Sequence, residues 1–74
     1  MTEHLPTPIE NAPPSTKFVY RELCWADVAL TYDDLHARTG LAHRTLRRAT
    51  TTLVDVGAVN REWISGSRVA YEVP

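Results

Sequence analysis

Cysteine is nearly missing from this 74-residue chain: Cys24 stands alone, so no intramolecular disulfide can form and no cysteine cluster exists to hold zinc. Long apolar runs are missing too. None approaches the ~18 residues of a membrane span, and the N-terminus has no basic stretch followed by an apolar core of the secretory kind. A cytoplasmic, reducing location is the expectation. His4, His36 and His43 are scattered, and neither Cys24 nor a serine sits beside a histidine and an orienting carboxylate. A chain this short also has little room for a substrate pocket. No metal, no cofactor and no enzymatic activity are therefore expected. Lysine is as rare as cysteine. Lys17 is the only one, and the other seven basic residues are arginines, the side chain suited to bidentate contact with guanine or phosphate.

The net charge of −1 conceals an asymmetry. Residues 1–36 carry two basic and six acidic side chains, net −4, whereas residues 37–74 carry six arginines against three acids, net +3. The distribution of charge, not its total, argues for an anionic partner.

The positive half contains the stretch that organises the chain, Leu41 to Gly57. Leu46, Ala49, Leu53 and Val56 recur at spacings of three and four, one side of a helix expected over residues 43–56. Gly57 is a ready stop because it adopts the left-handed conformation at little cost. Arg44, Arg47, Arg48 and Thr51 fall on the other side. Basic residues oppose the dipole at a helix N-terminus, at roughly 0.3–1 kcal/mol each. Arg44 and Arg48 are also a like-charge pair at i, i+4, costing about 0.2–0.5 kcal/mol more. Local rules broken repeatedly in one element point to a surface kept for binding. Such a helix suits the major groove of DNA; the alternative is a plain solvated face.

Around that helix the chain reads as follows. Residues 1–14 hold all but one of the prolines and show no apolar period, a flexible arm. Ser15 or Thr16 caps a first helix running to about Ala26, with Val19, Leu23 and Ala26 inside. Phe18, Tyr20, Cys24 and Trp25 exceed one narrow stripe, so either the core face is wide or Tyr20, Cys24 and Trp25 meet a second copy of the chain. Residues 29–31 form a brief extended link. Thr31 and Asp34 match a capping box, opening a second helix near Tyr32 that Gly40 closes. Leu41 plugs the turn before the basic helix, which gives the spacing of a helix-turn-helix. After Gly57 the period becomes two. Val59 and Trp63 share one strand face, Ser65-Gly66-Ser67 forms a turn, and Val69, Tyr71 and Val73 alternate along a second strand. Arg61 and Arg68 are expected to flank the tip.

In this order, Ser15-Thr16-Lys17-Phe18-Val19-Tyr20, Leu30-Thr31-Tyr32-Asp33-Asp34-Leu35, Thr39-Gly40-Leu41, Arg44-Thr45-Leu46-Arg47 and Gly57-Ala58-Val59 resemble the winged helix-turn-helix domains of MarR-like and ArsR-like transcription regulators, above all short archaeal versions. The resemblance spans about residues 15–74. It departs from the pattern at Ala42, where serine or proline is common, and in a short wing. It implies an α+β fold of three helices plus a C-terminal β-hairpin wing, as a 15–74 domain behind a 1–14 arm. It also implies a homodimer that regulates transcription on double-stranded DNA, with the helix 43–56 in the major groove and the wing 64–69 on the backbone. His43, Arg44, Arg47, Arg48 and Thr51 then face the groove and Arg68 is the wing contact, with Thr45 and Lys17 completing the expected DNA-binding set. The competing expectation is a winged-helix module that binds another protein and no DNA.

Overall fold

A computed structural model describes residues 9–66 and 68–74. Its elements are α1 (Pro14–Ala26), β1 (Leu30–Thr31), α2 (Tyr32–Thr39), α3 (His43–Asp55), β2 (Asn60–Ser65) and β3 (Arg68–Glu72). The strands form one antiparallel sheet in the order β1-β3-β2, so residues 30–31 do join the sheet, beside the second strand of the hairpin. Three helices and this small sheet make the winged helix-turn-helix arrangement that the sequence pattern implies.

Local chemistry fixes each boundary. Thr31 and Asp34 form the capping box: the Asp34 amide donates to the Thr31 hydroxyl and the Thr31 amide to the Asp34 carboxylate, both at 3.1 Å. Gly40 closes α2 with φ 73°, its amide donating to the His36 carbonyl at 2.8 Å. At the end of α3, Gly57 (φ 77°) donates to the Val54 carbonyl and Ala58 to the Leu53 carbonyl, the paired pattern of a glycine C-cap. The helix therefore stops one residue earlier than its apolar period suggests. Val56 becomes the cap and is 37% exposed instead of lining the core. The start of α1 also differs from expectation. Pro13 occupies the cap and Pro14 the first helical position, where a missing N–H is no loss. Ser15 and Thr16 lie inside the helix, and Thr16 is buried.

The core is formed by Val19, Leu23, Leu30, Leu35, Leu46, Ala49, Leu53, Val59 and Tyr71, as the apolar spacing predicts, with Leu41 and Val69 packed at its edge and only partly buried. Ile9 belongs to it as well, at 0% exposure. Ile9, within the expected flexible arm 1–14, is therefore anchored, and residues 1–8 lie outside the described part. An isolated isoleucine among prolines has no period to reveal that it is anchored. Ala70 is buried next to Tyr71, so β3 lacks the clean alternation read from its sequence: it is the central strand, and the small Ala70 side chain lies between Thr31 and Glu62 of the two flanking strands.

In the wing, Arg61 pairs with Tyr71, Glu62 with Ala70 and Trp63 with Val69, with an irregularity between Trp63 and Ser65 before Arg68. Arg68 stands at the tip. Arg61 does not, because the register sets it at the base of the hairpin, opposite a core residue.

Leu53 is fully buried in the middle of α3. Leu53→Ala should destabilise the domain by about 2–5 kcal/mol, a large share of the stability available to a chain of this size. A thermal melt with no downward shift would contradict this core.

Candidate nucleic-acid interface

The turn that aims α3 is stitched by side chains of α2. The Leu41 amide donates to the Thr39 hydroxyl at 3.1 Å, and that hydroxyl donates back to the Leu35 carbonyl at 2.7 Å. The Leu41 carbonyl accepts from His36 Nδ1 at 2.8 Å, which puts a proton on that nitrogen. The entry to α3 is thus held without a capping side chain at Ala42, whose φ of −62° and ψ of 151° are extended. The amides of the first turn of α3 are left pointing out along the helix axis.

On α3, Arg44, Arg48 and Thr51 stand at spacings of four and three and are exposed. At about 100° per residue they form the stripe opposite Leu46, Ala49 and Leu53. Arg47 is exposed too, but lies round the helix on the side of Thr50, toward α2 and the sheet. Thr45 is half-buried on the other flank. The ion pairs Arg38–Glu22 at 3.7 Å and His43–Asp33 at 3.9 Å leave all three α3 arginines out, so among the described residues no acid neutralises them. His43 is tied into the fold: beside Asp33, its ring meets the edge of His36 at 5.3 Å and lies 6.3 Å from Tyr32. Lys17 is half-buried on α1, away from the α3 stripe in the chain order, and Arg68 is exposed at the wing tip.

Between α3 and the wing lies a feature that single-residue reading missed. The Tyr32 hydroxyl is 3.1 Å from Thr50 Oγ1 and 3.0 Å from the Tyr71 hydroxyl, and Thr50 donates to the Arg47 carbonyl at 3.1 Å. A carbonyl only accepts, so the Thr50 proton is committed. Thr50 then accepts from Tyr32, Tyr32 accepts from Tyr71, and the Tyr71 oxygen is left to accept from Arg61, whose guanidinium lies 5.8 Å from the Tyr71 ring centre. The two rings meet edge to face at 5.4 Å. Thr50 itself is wholly buried although the helical pattern reads it as polar. The signal that would have found the chain is pairwise: only the strand register brings Tyr71 and Arg61 to Tyr32 and α3.

The phenols record these surroundings. Burial pushes Tyr32 upward, only partly offset by the Thr50 hydrogen bond. Burial also pushes Tyr71 upward, but its hydrogen bonding with Tyr32, Thr50 and Arg61, together with the Arg61 charge, outweighs it and sets Tyr71 below the usual phenol value. On α1, burial and a hydrogen bond with Cys24 push Tyr20 upward.

The surplus apolar surface divides in two. On and after α1, Trp25 is 71% exposed, with Cys24, Phe18 and Val28 also open, whereas Tyr20 is half-buried and packs against the core. On the wing, Trp63 is 70% and Ile64 56% exposed. Trp63 shares a strand face with Val59, as the alternation predicts, but Val59 reaches the core whereas Trp63, farther along the wing, is open to water.

No protein-family model matches the sequence, and no curated protein matches it. Among solved structures, a chain from work on the DNA recognition and protein interaction domains of HOP2, and on its homologous DNA pairing properties, has the same fold. Its TM-score is 0.70 at 16% identity, over 81% of this chain and 98% of that one. The likeness establishes a winged-helix fold. No helix among the described residues is long and apolar enough to cross a membrane.

An alkaline absorbance titration should resolve the three tyrosines. Tyr71 ionises below 10.0, and Tyr20 and Tyr32 above it. Tyr71→Phe should remove the early phase; an early phase that survives would contradict the hydroxyl chain.

Proposed function

We propose that the chain is a DNA-binding transcription regulator that lays α3 in the major groove and sets the wing on the backbone. The observation that carries this reading is the exposed Arg44–Arg47–Arg48 face, which no described acid neutralises, at the leading end of a helix whose entry turn is locked. Free first-turn amides add to its attraction for phosphate. The HOP2 chain, from work on DNA recognition and protein interaction domains, supports DNA as the ligand class. The regulatory role rests on the likeness of the motifs to MarR-like and ArsR-like proteins.

Roles differ along the face. Arg44 and Arg47 lie in the first turns and are suited to bidentate contact with guanine, about 1–3 kcal/mol of discrimination each. Arg48, one turn farther along the stripe, and Arg68 at the wing tip suit phosphate. Arg44→Ala or Arg47→Ala should weaken binding and relax preference at particular base pairs. Arg48→Ala or Arg68→Ala should weaken binding to every sequence alike and lower the salt slope by about one unit each. Salt titrations on a selected site and on random duplex measure both. Four variants that bind like the parent would remove α3 from the groove.

One such domain covers few base pairs, so two copies on paired half-sites are the natural assembly. The open surface around Trp25 is the contact we assign to a homodimer, with Cys24 beside it and Tyr20 contributing only its exposed edge. Sedimentation should show a dimer that Trp25→Ala weakens; monomer alone at high concentration, free and on DNA, would refute it. The same exposed aromatic surface is what favours the second reading, a module that binds another protein and no DNA. Binding to duplex that weakens steeply with salt separates the two.

A further inference from the structure

The wing has two chemically opposite sides. Tyr71 faces the helices, since its hydroxyl meets Tyr32 and its ring lies against Tyr32. Arg61 is its cross-strand partner and its guanidinium packs on the same ring, so Arg61 is on the helix-facing side. Trp63 follows two residues later, opposite the partly buried Val69, and shares that side. Glu62 and Glu72 are diagonal neighbours on the reverse. They are close enough that a shared hydrogen bond with Glu62, then its charge, holds Glu72 above the usual carboxylate value. β2 is also an edge strand, exposed along its whole length. A tryptophan 70% open to water thus stands beside an arginine, on the side of the hairpin that carries the Tyr71–Tyr32–Thr50 contact to α3 and away from the paired acids.

We propose that Arg61 and Trp63 form a stacking site for an unpaired nucleotide, so that the preferred ligand is DNA in which a loose or overhanging base flanks the duplex held by α3. This rests on the DNA-binding reading above. The ligand class follows from charge and shape. An anion is admitted on this side by Arg61, with Arg47 near Tyr32 adding to the positive charge, and is repelled on the reverse by Glu62 and Glu72. An indole offers a flat apolar face, which an unpaired base can cover and a base inside a duplex cannot, because its own faces are already stacked. Residues i and i+2 of a strand lie about 6.6–6.8 Å apart. That leaves space for a base on Trp63 with its phosphate on Arg61, which has donors to spare beyond the one directed at Tyr71.

The chain has two tryptophans, so Trp25→Phe leaves Trp63 as the sole indole emitter. Affinity is measured on the parent protein, and emission on that variant, with a duplex, with the same duplex carrying a short single-stranded thymine overhang, and with the thymine strand alone. The overhang should tighten binding about 5- to 100-fold, the range one base–aromatic stack supplies, and should quench Trp63. Trp63→Ala should abolish the overhang's advantage while keeping duplex affinity and melting temperature, and Trp63→Phe should retain most of it. Equal affinity for the two duplexes, with Trp63→Ala like the parent, would overturn the stacking site and leave α3 recognition standing. Failure to bind any of the three DNAs would overturn both. A Trp63 emission that shifts with protein concentration alone would assign this side to a second copy of the chain instead.

Discussion

Three buried or half-buried hydroxyls, from Tyr71, Tyr32 and Thr50, hold the wing, the second helix and the third helix in one arrangement. A polar group withdrawn from water costs free energy unless it finds a partner. Each oxygen here has one, and the direction of donation is forced by the carbonyl of Arg47 at the far end. The same small network therefore fixes the rotation of α3 about its axis and the lean of the hairpin toward it. Arg61 closes the wing end of the network, and the Arg47 backbone closes the helix end. Arg61 and the backbone of Arg47 are consequently set by one buried contact rather than by surface loops.

The entry turn performs a related task by other means. Thr39 and His36 satisfy both backbone groups of Leu41 before α3 begins. Because α2 supplies these contacts, Ala42 needs no capping side chain. The leading end of α3 can then carry arginines that helix energetics alone disfavours. The inner face of Leu46, Ala49, Thr50 and Leu53, all fully buried, offsets that local cost. An arginine face that is poor for stability is held by a packing face that is good for it.

Sidedness runs through the remaining surface. The sheet keeps its acidic pair on one side and Arg61 with Trp63 on the other. The helical layer keeps its arginines at α3 and its open aromatic residue Trp25 at the C-terminal end of α1. A nearly neutral protein can thus present a cationic surface to one partner while leaving an apolar one for another, and long-range charge matters less than which face each residue occupies.

Much of the fold was legible from local signals. Thr31 with Asp34, Gly40 and Gly57 mark helix ends by chemistry confined to a few neighbouring residues, and the three-and-four spacing of Leu46, Ala49 and Leu53 marks an inner face by geometry alone. The arginine face opposite them followed from the same period. Tertiary structure alone decided the rest, because those features depend on partners distant in sequence. Ile9 is anchored only because the assembled core has a place for it, and Ala70 is buried only because β3 is flanked by two strands. Thr50 is a core residue because Tyr32 satisfies its hydroxyl from eighteen positions away, and Arg61 leaves the tip because the register pairs it with Tyr71. Periodicity states which side of an element is apolar; only packing states which polar groups are drawn inside with it, and the side of the wing that α3 faces was fixed in that step.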